Sequence, residues 1–277
     1  MTDLLAATDL KVAYPNSRLF GSPTEIVHGV DFAVGVGETL GLVGESGSGK
    51  TTIGRAVLGL VPTCAGELVF DGRDLTRLKP RKRRELARDI QVVFQDPYSS
   101  LNPALTIGDI LSEPLVTLGR TRADAVDRIR WLLDRVGLPG DAHDRYPHEF
   151  SGGQRQRVAI ARALAPEPRL VVCDEPVSAL DLGTQARVLD LLIELQEQTG
   201  VAYLFISHDL AVVRHVSHRV AVLRGGEIVE QGEAADVTLA PQHPYTRQLL
   251  LAAPVADPAA QKQRRLARIA ARTEPPA

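Results

Sequence analysis

The chain has 277 residues with 32 basic and 34 acidic side chains, a formal charge of −2, and is long enough for one large α/β domain or two small ones with a sizeable core. That balance supplies no basic field to recruit nucleic acid or anionic lipid, and no apolar run is long enough to cross a bilayer. Met1-Thr2-Asp3 does not read as a signal peptide, and two widely separated cysteines, Cys64 and Cys173, fit a reducing, cytosolic setting rather than a disulfide framework.

Leu4 to Tyr14 alternates apolar and polar residues and is expected to be a strand. A loop rich in turn formers follows, Pro15 to Thr24, then a second strand from Ile26 to Val34. Gly35-Val36-Gly37-Glu38 turns the chain into the apolar strand Thr39–Val43. That strand runs into Gly44-Glu45-Ser46-Gly47-Ser48-Gly49-Lys50-Thr51-Thr52, and a helical segment begins near Lys50 and runs on through Ile53 to Leu60. Strand, glycine loop and helix are the context in which G-x-x-x-x-G-K-[ST] is a phosphate-binding loop. Glycines let successive N–H groups turn inward around a phosphate, and the helix adds its positive end. Lys50 is placed to reach β- and γ-phosphates and the Thr51 hydroxyl to ligate Mg²⁺. A nucleoside triphosphate is the expected ligand.

Gly66 to Phe70 reads as a short strand closed by the Asp71-Gly72 hairpin signal. Cys64 is placed in a turn, Pro-Thr-Cys-Ala-Gly, and Cys173 in a buried apolar run. The basic stretch Arg77 to Arg84 is expected to be the solvated start of a helix rather than a binding patch. Ile90 to Phe94 is a strand ending at Gln95-Asp96-Pro97. From Leu101 to Gly137 the period changes to helical, with Val126, Ile129, Leu132, Leu133 and Val136 on the apolar stripe and Trp131 assigned to the core. The β/α alternation then resumes with strand Arg169–Cys173, helix Thr184–Gln198, strand Val201–Ile206, helix Asp209–His215 and strands Arg219–Leu223 and Glu227–Gln231. This order predicts a mostly parallel sheet covered on both faces, and the absence of an internal repeat predicts one cassette. Arg247 to Ala252 is a short apolar helix, and the residues beyond Pro254 read as a mobile, solvated tail, with an interfacial basic helix as the alternative.

Two further stretches carry chemistry. Leu170-Val171-Val172-Cys173-Asp174-Glu175 is an apolar strand ending in two carboxylates that strand alternation sends to different sides. Asp174 is placed to hold Mg²⁺ through water, and Glu175 to act as a general base toward water attacking the γ-phosphate. Ser151-Gly152-Gly153-Gln154 opens a helix behind Phe150 with the spacing of a capping box. It reads either as a well-capped helix or as a second anion site closing over the nucleotide of another subunit.

Gly44–Thr52, Gln95, Phe150-Ser151-Gly152-Gly153-Gln154, Asp174-Glu175, Ser178-Ala179-Leu180-Asp181 and His208, in that order, resemble the ATPase subunit of an ATP-binding cassette (ABC) transporter across nearly all of residues 5–240. The resemblance implies a P-loop NTPase of RecA type: an α/β core with an antiparallel β subdomain and an inserted helical subdomain at about residues 96–165. The cassette would occupy residues 1–240 and a C-terminal tail residues 241–277. It further implies that Tyr14 stacks on adenine, that Gln95 senses Mg²⁺ and a membrane subunit, and that Ser151 and Gly153 contact the partner's γ-phosphate. Asp181 would couple the two sites and His208 would position γ-phosphate and water.

Gln95-Asp96-Pro97-Tyr98-Ser99-Ser100-Leu101-Asn102-Pro103 and His243-Pro244-Tyr245-Thr246 are similar to bacterial oligopeptide and dipeptide importer ATPases. The loop after Tyr14 and Tyr146-Pro147-His148-Glu149-Phe150 favour the second ATPase subunit type of such importers. Relatives often carry a cysteine cluster after the His-Pro-Tyr segment; this chain has no cysteine after Cys173, so no iron–sulfur cluster is expected. The implied partners are a second cassette, expected to be a paralogue, two transmembrane permeases and, indirectly, an extracytoplasmic solute-binding protein. The implied location is peripheral, on the cytoplasmic face of the inner membrane. Related cassettes import nickel or glutathione, and a similar one serves soluble phosphonate-degrading assemblies. DNA-repair and translation ATPases would need a long coiled coil or a tandem cassette.

Overall fold

Two sheets organise the residues that the computed structural model describes, 3–14 and 23–252. The first is antiparallel, in the order β2-β1-β4-β5, from β1 (Asp3–Tyr14), β2 (Thr24–Gly35), β4 (Thr63–Phe70) and β5 (Arg73–Asp74). Most of the loop expected at Pro15–Thr24 and the whole tail beyond Ala252 lie outside the described residues. The expected Asp71-Gly72 hairpin is present: Phe70 pairs with Arg73, and both turn residues have positive φ (49° and 72°), the backbone of a two-residue turn that matches strand twist. Cys64, placed in a turn from its neighbours, instead sits exposed on β4, where pairing with β1 extends the strand back to Thr63.

The second sheet has the order β10-β9-β3-β8-β7-β6, from β3 (Thr39–Val43), β6 (Ile90–Val93), β7 (Leu170–Asp174), β8 (Ala202–Ser207), β9 (Arg219–Arg224) and β10 (Glu227–Glu233). Its pairs are parallel except β9–β10. Its central strands are buried on both faces, which is why they read as apolar runs rather than as alternating ones. Val171 and Cys173 enter one core and Leu170 and Val172 the other. Burial pushes the Cys173 thiol far up, in keeping with its reading as a small hydrophobe.

Helix α1 (Lys50–Leu58) packs on the side that faces the antiparallel sheet, and Leu86, just past α2 (Pro80–Glu85), joins the same core. Arg83 corrects the reading of its basic stretch as merely solvated. Its guanidinium donates to Val57 O (2.8 Å) and to Ala56 O (3.1 Å), the latter also accepting from the N–H of the capping Gly59 (3.0 Å), so it adds to the cap at the end of α1.

Between β6 and β7 the chain is helical: α3 (Pro97–Ser100), α4 (Ile107–Thr117), α5 (Arg122–Arg135), two single 3₁₀ turns and α6 (Gly152–Leu164). Ile129, Leu132, Leu133 and Val136 are buried as expected, and they join the same core as Val93 and Val171 of the sheet. Val126 is 42% exposed and leaves the stripe. Trp131 is half-buried, with Arg128 and Arg135 guanidiniums 4.4 and 5.4 Å from its ring. The chain then continues through α7 (Leu182–Thr199), α8 (Leu210–Val216), α9 (Ala234–Leu239) and α10 (Pro244–Ala252).

The parallel registers set the position of everything functional. Val43 pairs with Ser207 and Asp174 with Ile206, so the ends of β3, β7 and β8 lie side by side. In such sheets the crevice at the carboxyl ends of the strands is the binding edge.

Candidate nucleotide-binding site

The turn from β3 into α1 wraps around the Lys50 side chain. Gly47 and Gly49 hold φ of 81° and 106°, which a Cβ would oppose, and Gly49 occupies the cap position of α1. Lys50 is 4% exposed, and its ammonium donates to Gly44 O (2.7 Å) and Glu45 O (2.8 Å), with Ser48 Oγ at 3.5 Å. Burial lowers its pKa, against the pull of Glu175, Asp174 and Glu45. A buried cation held by neutral carbonyls is poised for a stronger anion. The β- and γ-phosphates of a nucleotide are such anions.

A cavity of about 420 Å³ opens over the loop. Tyr14, Ser46, Gly47, Gly49, Lys50, Thr51, Thr52, Gln95 and Glu175 line it, so most of the residues expected to hold nucleotide converge. Gly44, Glu45 and Ser48 lie beneath as partners of Lys50. Ile26, on β2, lines it too and was not anticipated; nothing in a strand's own pattern shows which of its residues meets a distant loop.

Thr51 Oγ1 donates to Asp174 Oδ1 at 2.9 Å. Burial raises the Asp174 pKa, the Thr51 bond opposes that and the neighbouring Glu175 adds to it. A hydroxyl and an under-compensated carboxylate, next to the Gln95 amide, make the hard-oxygen donor set that Mg²⁺ prefers. The residues therefore fit the metal. A carboxyl whose native pKa is raised is better tolerated protonated, so it costs stability above that pKa and the cost is relieved as pH falls. Asp174→Asn is expected to raise the thermal midpoint of the metal-free chain at neutral pH, with a smaller gain in acid; a fall at neutral pH would contradict this account.

Glu175 does not continue the strand. Its φ is 50°, its N–H donates to Ile206 O (2.9 Å), and β7 ends at Asp174. The two carboxylates line different cavities, Glu175 the one over the loop and Asp174 the one beside Arg162. Glu175 Oε2 lies 3.2 Å from Nδ1 of His208, which follows β8. Sequence spacing could not have shown this contact; it follows from β7 and β8 being neighbours.

Gln95 borders a second cavity as well, of about 540 Å³, shared with Arg55, Phe94, Asp96, Ser100, Arg162 and Asp174. It stands between the loop and the helical stretch. Phe94 (40% exposed) and Tyr98 (60%) flank this side.

Ser151, Gly152, Gly153, Gln154 and Asp181 do not line the nucleotide cavity. Ser151 Oγ accepts from Gln154 N (3.3 Å) while Gln154 Oε1 accepts from Ser151 N (3.0 Å), so the reciprocal cap is formed. Ser151→Ala is expected to cost about 1 kcal/mol in denaturant unfolding, the usual worth of such a cap; no change would mean the cap is solvated. Asp181 Oδ1 caps α7 by accepting from Thr184 N (3.0 Å), a bond that holds its carboxyl low. The start of α6 packs on the first turn of α7 that Asp181 caps: a Cβ on Gly153 would lie 2.3 Å from Thr184 Cγ2, so a larger residue there would force Thr184 to move. Leu182, beside them, is 84% exposed.

Residues 27–178 match the family described as ABC transporter, and residues 229–276 match the oligopeptide/dipeptide transporter C-terminal region. The glutathione import ATP-binding protein GsiA of Escherichia coli (strain K12) is 52% identical over 268 residues, covering 95% of this chain and 43% of that protein. The protein of the same name from Pectobacterium atrosepticum is 53% identical, covering 92% and 42%. The chain thus spans less than half the length of these relatives. Among solved structures, the post-hydrolysis dimer of the ATP-binding cassette MJ0796 bound to ADP and Pi superposes with a TM-score of 0.73 at 28% identity, covering 83% of this chain and 98% of that one. The cbiO1 structure from Clostridium perfringens, part of the ABC transporter complex cbiONQ, gives 0.78 at 24% identity, covering 96% and 99%, a likeness of fold.

Proposed function

We infer the function from one premise: this chain belongs to the ABC transporter family of ATPases. On that premise it binds MgATP in the loop cavity, hydrolyses it, and serves as the ATP-binding subunit of a bacterial importer of small peptides. The observation that carries the reading is the convergence of Lys50, Thr51 and Glu175 on one cavity, with Asp174 held behind Thr51 by its hydroxyl. The match to the oligopeptide/dipeptide C-terminal region supports peptide import. The likeness to glutathione import proteins favours glutathione, itself a tripeptide, as a second reading of the solute. Residues 1–240 would form the cassette, with residues 96–165 as its helical arm and residues 241–277 as the tail.

Tyr14 would stack on adenine, and the loop N–H groups with Lys50 would hold the phosphates. Thr51, Asp174 and Gln95 would hold Mg²⁺, which when bound neutralises charge on the β- and γ-phosphates. Glu175 would take a proton from the attacking water at its carboxylate. His208, with Nδ1 toward Glu175, keeps Nε2 for a phosphate oxygen. Ser151, Gly153 and Gln154 would close over the partner cassette's nucleotide, with Asp181 between the two sites. The helical arm, moving with Gln95, would push on two permeases at the cytoplasmic face of the membrane.

Purification from the native host in mild detergent tests this. Two polytopic membrane proteins and a second cassette are the expected company. A soluble complex with metabolic enzymes and no membrane protein would overturn the importer reading and leave the ATP site standing.

A further inference from the structure

The C-terminal helix α10 reaches the phosphate loop. Tyr245 is 4% exposed, and its hydroxyl accepts from the N–H of Glu45 at 3.1 Å, across 200 positions of sequence. That N–H belongs to the same peptide unit as Gly44 C=O, which accepts from the Lys50 ammonium. A trans peptide sends its N–H and C=O in opposite directions. The phenol and the ammonium therefore grip one peptide plane from its two edges.

The grip is itself anchored. Burial pushes the Tyr245 phenol up, so it stays un-ionised at neutral pH, and the Arg224 guanidinium lies 5.0 Å from its ring. Glu230, on β10, accepts from the N–H groups of Gln242 (2.7 Å) and His243 (3.1 Å) just before the helix. His243 Nδ1 accepts from Tyr245 N at 3.1 Å and so starts the helix. Hydrogen bonds thus run from β10 through the His-Pro-Tyr segment to the first peptide of the phosphate loop.

We propose that Tyr245 is a positioning residue for nucleotide binding, bracing the Gly44–Glu45 peptide so that docking of the C-terminal segment sets the affinity of the phosphate loop. This rests on the nucleotide reading of that loop. When phosphates draw the Lys50 ammonium away from Gly44 O, the peptide loses its partner on one edge and keeps Tyr245 on the other. Without the hydroxyl the plane is free to rotate, and ordering the N–H groups that follow it is charged to nucleotide binding. Tyr245 does not line the cavity that Glu175 enters, so the chemical step is untouched.

Tyr245→Phe removes one oxygen and leaves the buried ring in place. In the full chain it is expected to weaken ATP and ADP binding about three- to tenfold, the factor one net hydrogen bond is worth. KM should rise in step, with kcat near wild type. The thermal midpoint of the ligand-free chain should fall only by what one hydrogen bond is worth, about 1 kcal/mol, and the Glu45 amide should exchange faster with solvent. Unchanged nucleotide affinity, or a fall in kcat at constant affinity, overturns the brace. Because Phe is conservative, a lower thermal midpoint accompanied by wild-type affinity also counts against it. Wild-type chain that binds no nucleotide would instead sink the nucleotide reading, and the brace with it. Wild-type binding matched by Tyr245→Phe removes the brace alone.

Discussion

Glu175→Gln should lower ATP turnover by roughly 10²–10⁴-fold, the usual worth of a positioned general base, while ATP still binds. The expectation follows from where the side chain stands. Glu175 is pinned by its own N–H to Ile206 O, has a left-handed backbone with φ of 50°, and is set in the cavity with Lys50. A glutamine keeps the volume and can still meet His208, but its amide cannot take a proton from water. Lys50, Thr51 and Asp174, which would hold the phosphates and metal, are untouched by the exchange. The variant should accumulate as an ATP-bound dimer, because binding proceeds and the reopening step does not. Single-turnover hydrolysis, nucleotide affinity and size-exclusion with ATP measure the three parts. Turnover at the wild-type rate would remove Glu175 from the role of base.

Lys50→Ala should act on the earlier step. The ammonium is nearly fully buried, its pKa lowered by that burial, and its partners are two loop carbonyls. Removing a buried, hydrogen-bonded charge that would face phosphate costs about 2–5 kcal/mol of binding or more, so ATP affinity should fall roughly 30-fold at least. Hydrolysis would be lost with it. The loop itself should survive, since Ile53 N still bonds Gly49 O and Gly226 N still bonds Ser48 O from outside. Calorimetric titration with ATP, checked against the thermal midpoint, separates a lost ligand contact from a lost fold. Affinity within twofold of wild type would mean that the loop's N–H groups suffice and that Lys50 is a structural filler.

The two variants thus divide the site into binding and chemistry, and Tyr245→Phe adds a third behaviour, weaker binding with intact chemistry. Their order of severity is also informative. Lys50 lies in the loop, Glu175 follows β7, two strands away from β3 in the sheet, and Tyr245 comes from α10, 200 positions after Glu45. The further the residue is from the loop in sequence, the less its role could be read there.

Much was legible because the signals are local. A glycine loop between an apolar strand and a helix needs only adjacent residues to suggest a phosphate site, and short continuous apolar runs, buried on both faces, made β3, β7 and β8 visible as strands. The Ser151–Gln154 cap likewise lies within four residues and formed as expected. What failed failed for tertiary reasons. Cys64 entered a strand because β1 was there to pair with it, and Arg83 left solvent because the carbonyls at the end of α1 came within its reach. Val126 kept the helical period yet stayed exposed, since period alone does not say how wide a face the neighbours cover.

By itself, the sequence determined which groups are on offer: a glycine loop with a lysine, a threonine hydroxyl beside it and a strand ending in two carboxylates, since these depend on residue types at short spacing. Only the tertiary structure decided which of those groups meet. Thr51 reaches Asp174, Glu175 reaches His208 and Tyr245 reaches Glu45 because parallel register and two shared cores bring distant strand ends and α10 to one edge of a sheet. Burial that drives such packing is non-directional, so no single stretch of the chain records its outcome.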